Sequence, residues 1–165
     1  YPAINWIESY SLYIDDVKEW WMNKIDQDWG KFHEIMLRIL HEDHEMQDLV
    51  RLLGADSLPL QKQLTIFTAN LIKKTFLLQN AFDPIDQYCT PEKQARMLRL
   101  FITYYLKASE LLENGAPLFK LEEIDSITQM ARARKDINND EIEKLDKIMD
   151  DLREDLNNIR RELTY

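Results

Sequence analysis

The chain has 165 residues, with 30 acidic side chains against 21 basic ones and a formal charge of −9, which excludes a cationic nucleic-acid or anionic-lipid binder held by bulk charge. At 45% apolar and 31% charged it carries enough hydrophobic residues for one packed domain, and only 3 Gly and 5 Pro leave too few turns for a sheet protein. The composition therefore predicts an all-α fold, and the spacing along the chain described below predicts an antiparallel helical bundle of about five helices with a long amphipathic C-terminal helix. One cysteine, Cys89, excludes a disulfide framework, and no apolar run approaches the roughly 20 residues of a membrane span. The start at Tyr1 without Met or a signal-peptide pattern reads as a piece of a longer cytoplasmic protein.

Residues 1–25 form an aromatic lead-in with Tyr1, Trp6, Tyr10, Tyr13, Trp20 and Trp21, extended at Pro2 and helical in spacing from about Asp15. A bundle domain is expected over 26–135. Trp29 to Leu53 sets Phe32, Ile35, Met36, Ile39, Leu40, Leu49, Val50 and Leu53 at steps of three and four, and Gly54 supplies the stop. The turn that follows predicts Ser57 as N-cap and Pro59 in the first turn of a second helix. That helix runs to about Leu78 with Leu64, Phe67, Leu71, Ile72 and Phe76 inward. Gln79 to Cys89 reads as a loop whose aromatics have no helical partners. Thr90-Pro91-Glu92 then starts a third helix, apolar nearly all round to about Glu113 and predicted to be the buried centre. A weaker helix covers about Leu121 to Arg134. Over 136–165, Asn138 and Glu141 have capping-box spacing, followed by a heptad seam of Ile142, Leu145, Met149, Leu152, Leu156, Ile159 and Leu163. The seam suits either the bundle or a partner helix.

Few residues could carry chemistry. His41-Glu42-Asp43-His44 misses by one residue the i, i+4 histidine pair of helical zinc sites, and its acidic surroundings read as a solvated helix face. Cys89 has no basic neighbour to activate it and reads as an inert loop thiol. Gly30, Gly54 and Gly115 are isolated, so no phosphate-cradling loop is present, and pairs such as Asp15-Asp16 and Asp150-Asp151 read as solubilising charge. No self-contained active site emerges. The remaining feature is aromatic: Tyr1 beside Pro2, Phe82 beside Asp83-Pro84, and Tyr88 six positions later. These rings either plug the end of the bundle or offer faces on which a purine can stack.

At these residues the chain resembles the C-terminal part of the catalytic A subunit of V-type and archaeal-type (A-type) rotary ATPases and ATP synthases. The resemblance is carried by Tyr1-Pro2-Ala3-Ile4-Asn5-Trp6, Ser9-Tyr10-Ser11-Leu12-Tyr13, Val17-Lys18-Glu19-Trp20-Trp21, Leu78-Gln79-Asn80-Ala81-Phe82-Asp83 and Tyr88-Cys89-Thr90-Pro91-Glu92-Lys93-Gln94. It extends in order to about residue 125. The more distant F-type β subunit has a matching Tyr-Pro-Ala step and two rings six residues apart. Here Ala81 stands for its Pro and Tyr88 for its second Phe.

By that resemblance Tyr1, Phe82 and Tyr88 line the adenine ring in the complete subunit, and Gly54, Asp56, Ser57 and Leu58 form the loop that pushes the rotor. Pro59-Leu60-Gln61 replaces acids of the distant relative, so the push is expected to be steric. The resemblance further implies ATP or ADP with Mg²⁺ as cofactor of the complete subunit, held by a domain not in this sequence. The fragment alone is expected to bind no cofactor and to be inactive, since it lacks the phosphate loop. Implied partners are the central-stalk subunits and the B subunit, with no nucleic acid and with the membrane reached only through the ion-translocating sector. Proton or sodium transport would be coupled to ATP hydrolysis or synthesis, with the subunit cytoplasmic and peripheral to the membrane. The rival reading is a stand-alone helical protein-protein interaction module.

Overall fold

The computed structural model describes residues 14–163, whose regular elements are helices with no strand among them. The helices are α1 (Ile14–Lys24), α2 (Trp29–Leu53), α3 (Leu60–Ile72), α4 (Pro91–Glu113), α5 (Leu118–Glu122), α6 (Asp125–Asp136) and α7 (Glu143–Glu162). A short 3-10 turn, Ala55–Ser57, joins α2 to α3, and α3 ends in a π turn at Lys73–Leu77. The expected Tyr1 contact and most of the aromatic lead-in lie outside the described residues.

Helix α4 is the centre of the bundle. Thr90 caps it by accepting the Lys93 N–H at 3.3 Å, with Pro91 at the first helical position, as the Thr-Pro-Glu step predicts. Met97, Leu98, Leu100, Phe101, Ile102, Tyr104, Ala108 and Leu111 are buried on it, and α2, α3, α6 and α7 all pack against it. Tyr104 turns its hydroxyl to the Leu121 carbonyl at 3.1 Å, so even the polar end of this ring is satisfied inside the core.

The C-terminal seam faces α4 and α6. Leu145, Ile148, Met149, Leu152, Leu156 and Ile159 are all buried there, while Leu163 is exposed. Three local expectations change. The capping box at Asn138 and Glu141 does not form: the two side chains meet each other at 3.3 Å in a turn, and α7 begins later, at Glu143, without a side-chain cap. The weak helix expected from Leu121 is two pieces, because Ile124 is extended (φ −63°, ψ 143°) and restarts the chain as α6, with the Ser126 N–H donated to Asp155. Ser57 does not cap α3. Its hydroxyl donates back to the Leu53 carbonyl at 2.8 Å, closing the end of α2, and Pro59 occupies the N-cap position.

Polar braces fix the root and the middle of the bundle. Asp26, between α1 and α2, takes both Nε and Nη2 of Arg99 on α4 at 2.9 and 2.6 Å, and the same guanidinium lies 5.0 Å over the Phe32 ring. Beside it Trp21, Trp29 and His33 stack, each neighbouring pair 4.9 Å apart. On α2, Asp43 is wholly buried and pairs with Lys73 at the start of the π turn, while Gln47 donates to its other oxygen. Of the tetrad expected to be a solvated face, His41 and His44 are exposed but Asp43 is a cross-brace between α2 and α3.

Burial pushes the His33 imidazole below its ordinary value, against a smaller upward pull from Glu34 and with Lys18 reinforcing the shift. Between the folded value and about pH 6.5 the unfolded chain then binds more protons than the folded one, so stability falls as pH falls through that window. Thermal unfolding from pH 7.5 to 5.5 should lose less stability in His33→Gln than in the parent. Parallel pH profiles would remove His33 from this role.

Candidate functional site

The loop from Leu78 to Thr90 is built by its own short polar side chains. Asn80 Oδ1 accepts the Phe82 N–H at 3.0 Å, and Asp83 Oδ1 accepts the N–H groups of Ile85 and Asp86 at 2.9 and 3.0 Å. Those two backbone donors hold the Asp83 carboxyl below the usual carboxylate range. Asp86 points inward, 1% exposed, and its Oδ2 accepts the Asn80 N–H at 2.7 Å, closing the loop on itself. Gln79 donates to the Asp86 carbonyl at 2.6 Å.

This geometry bears on one of the two readings of the rings, the plug. Phe82 is 98% exposed and Tyr88 63% exposed, so neither plugs the bundle. Both rings share one loop.

Behind the loop lies a layer of buried charge. Arg134 on α6 brings Nε to 2.7 Å from Asp86 Oδ1, with both side chains nearly inaccessible. The N–H is not aimed along this contact, so it is a charge pair without a well-formed hydrogen bond, and Nη1 of Arg134 has no protein partner. Lys93, fully buried in the first turn of α4, donates from Nζ to the carbonyls of Arg134 and Ile137 at 2.8 and 2.5 Å. It thereby closes the C-terminal end of α6, where a cation is favoured. Burial pushes the Lys93 amine down and the Cys89 thiol up. A raised thiol is a poor nucleophile, which fits the inert role expected of Cys89. A cavity of about 170 Å³ adjoins these groups, lined by Phe76, Leu77, Gln79, Cys89, Gln94, Met97 and Arg134.

At the α2–α3 turn Gly54 adopts φ 81° and ψ 151°, a conformation for which glycine is suited. Gln63 donates from Nε2 to the carbonyls of Leu58 and Asp56 at 2.7 and 3.3 Å, which stiffens the turn. Gly54, Asp56 and Ser57 are exposed, whereas Leu58 is half-buried. The projecting apolar groups are others: Leu52 at 80% exposure and Leu53 at 61%, with Leu49 and Leu60 also exposed. The helical spacing placed Leu49 and Leu53 on the buried stripe. That stripe in fact ends at Met46, and no later residue of α2 is buried. The signal was present in Leu49-Val50-Arg51-Leu52-Leu53, an apolar cluster too wide for one helix face to bury.

From Leu60 to Leu77, α3 and its π turn span roughly 25 Å at 1.5 Å per residue, so the leucine-studded turn and the aromatic loop stand at opposite ends of one helical rod. Among the described residues no group of three or more His, Cys, Asp or Glu is arranged to hold a metal ion, and no helix is long and apolar enough to cross a membrane.

The sequence model for the C-terminal domain of V and A type ATP synthase matches residues 18–121. The chain is 43% identical over 150 residues to the A subunit of the A-type ATP synthase of Ignicoccus hospitalis, an alignment covering 90% of this chain and 25% of that protein. It is 38% identical over 165 residues to the corresponding protein of Sulfolobus acidocaldarius, covering 99% of this chain and 28% of that protein. The counterpart in Methanopyrus kandleri is 38% identical over 148 residues, covering 90% of this chain and 25% of that protein. The chain thus spans about a quarter of the length of these relatives. It belongs to the family of C-terminal domains of V and A type ATP synthases.

Proposed function

We propose that this chain is the lever and adenine lid of the catalytic A subunit of a V/A-type rotary ATPase or ATP synthase. The observation that carries the reading is the pairing of two exposed rings on an ordered loop with a leucine-tipped turn at the far end of the same braced rod. Phe82 and Tyr88 offer faces against which an adenine ring stacks, with Tyr1 supplying the third wall from the lead-in segment. Stacking needs no base-edge hydrogen bonds and suits a lid that closes over nucleotide. The phosphates of ATP or ADP and their Mg²⁺ would be held by the preceding part of the subunit, where the chemistry occurs.

At the other end, closure of the lid would swing the turn around Gly54, Asp56, Ser57 and Leu58 against the central stalk. Leu52 and Leu53 project most there, so the contact would be apolar and steric, each leucine removed from water contributing about 1–2 kcal/mol. Exposed ion pairs at such a tip would add little. Displacement of the stalk would couple ATP hydrolysis or synthesis to proton or sodium movement through the membrane sector. The stalk subunits and the B subunit are the implied partners, and the whole protein would sit on the cytoplasmic side, peripheral to the membrane. Without the phosphate-binding domain the chain alone would not hydrolyse ATP. The rival interaction-module reading loses its motive, because the apolar seam of α7 is already occupied by α4 and α6.

Two measurements on the complete subunit test the two ends separately. Phe82→Ala should weaken adenine-nucleotide binding by about 1–3 kcal/mol, read by titration calorimetry. An unchanged dissociation constant would remove the ring from the pocket. In the assembled enzyme, Leu52→Asp with Leu53→Asp should lower ion pumping per ATP hydrolysed while leaving nucleotide affinity within about twofold of the parent, as expected for surface changes remote from the pocket. Full coupling in that variant would place the stalk contact elsewhere.

A further inference from the structure

The loop bearing Phe82 and Tyr88 follows α3 in sequence, yet it is fastened at its middle and at its far end to the corner between α6 and α7. Between the two rings, Arg134 meets Asp86 at 2.7 Å, and the same carboxylate reaches back to take the Asn80 N–H ahead of Phe82. On the Tyr88 side, Asn139 uses both ends of its amide: Nδ2 donates to the Tyr88 carbonyl at 3.0 Å and Oδ1 accepts the Thr90 N–H at 3.1 Å. Lys93 then ties the corner to α4 through the carbonyls of Arg134 and Ile137. Gln94 adds a bond to the Cys89 carbonyl at 2.9 Å.

A buried charge pair rarely stabilises a fold more than an apolar pair of the same size would. What Asp86 and Arg134 supply, with the directional amide of Asn139, is one fixed orientation for a loop that buries little apolar surface of its own. Holding the rings in place before nucleotide arrives avoids the entropy of ordering them on binding. Both fastening residues lie beyond residue 121, where the match to the family model ends.

We propose that Asn139 and Arg134 are positioning residues for adenine recognition, so that the α6–α7 corner sets the lid although it touches no nucleotide. The inference rests on the adenine reading above. Arg134 variants risk the core, so the test uses Asn139, which is only partly buried. In the complete subunit, affinity for ATP and for inorganic tripolyphosphate is measured for the parent, Asn139→Ala, Phe82→Ala with Tyr88→Ala, and the triple variant.

Asn139→Ala should weaken ATP binding roughly three- to tenfold, the usual worth of one or two hydrogen bonds. It should leave tripolyphosphate binding unchanged and add nothing once both rings are gone. Parent-like ATP binding by Asn139→Ala, alongside weakened binding by the ring variant, would overturn the positioning role and leave the adenine reading standing. Equal losses for ATP and tripolyphosphate would also overturn it, as damage without base specificity. If the ring variant itself binds ATP like the parent, the adenine reading fails and this inference falls with it.

Discussion

Burial of α4 over most of its circumference is the constraint on which the rest of the bundle depends. A helix that presents Met97, Leu98, Leu100, Phe101, Ile102 and Tyr104 in consecutive turns cannot satisfy them on one face. It must be surrounded, and α2, α3, α6 and α7 do so. Each of these elements is thereby referenced to the same rod. A close-packed interior resists gradual deformation, so force applied at one end of such a unit reaches the other as displacement.

Apolar packing alone leaves helices free to slide by small amounts, and the polar contacts between elements remove that freedom. The bidentate Arg99–Asp26 pair fixes the α1–α2 corner against α4, and the Trp21, Trp29 and His33 stack packs beside it. The buried Asp43–Lys73 pair fixes the middle of α2 against the end of α3. Lys93 fixes the end of α6 against the beginning of α4. The most exposed apolar side chains among the described residues include Leu52 and Leu53 at one end and Phe82 and Tyr88 at the other. The proposed lid and lever contacts both lie in what the core leaves uncovered.

Much of the architecture was legible in the residues. Thr90-Pro91 starts α4, Gly54 stops α2, and the seam of α7 follows from its apolar spacing, because each is local chemistry or simple periodicity. The placement of Phe82 and Tyr88 on a loop was also readable, since no helical partners flank them. Their exposure was not, because an aromatic residue in a loop packs inward as readily as outward and only tertiary contacts decide. The same limit hid Asp43, whose charged neighbours suggest solvent and whose partner Lys73 lies 30 residues away. It also hid Arg134 and Asn139, whose contacts with the loop span 48 and 51 residues. Leu49 and Leu53 were misjudged for the opposite reason: helical periodicity continues past Met46, where the buried stripe of α2 ends.

A lever requires that the aromatic loop and the leucine-tipped turn move as one body. The most direct measurement places spin labels at Ser57→Cys and Gln87→Cys, with Cys89→Ser, in the complete subunit and records the distance distribution between them with and without nucleotide. A single narrow distribution that stays in place when ATP binds is the predicted result. A second population, or a shift in distance on nucleotide addition, would mean that the arm bends between its ends and would contradict the lever.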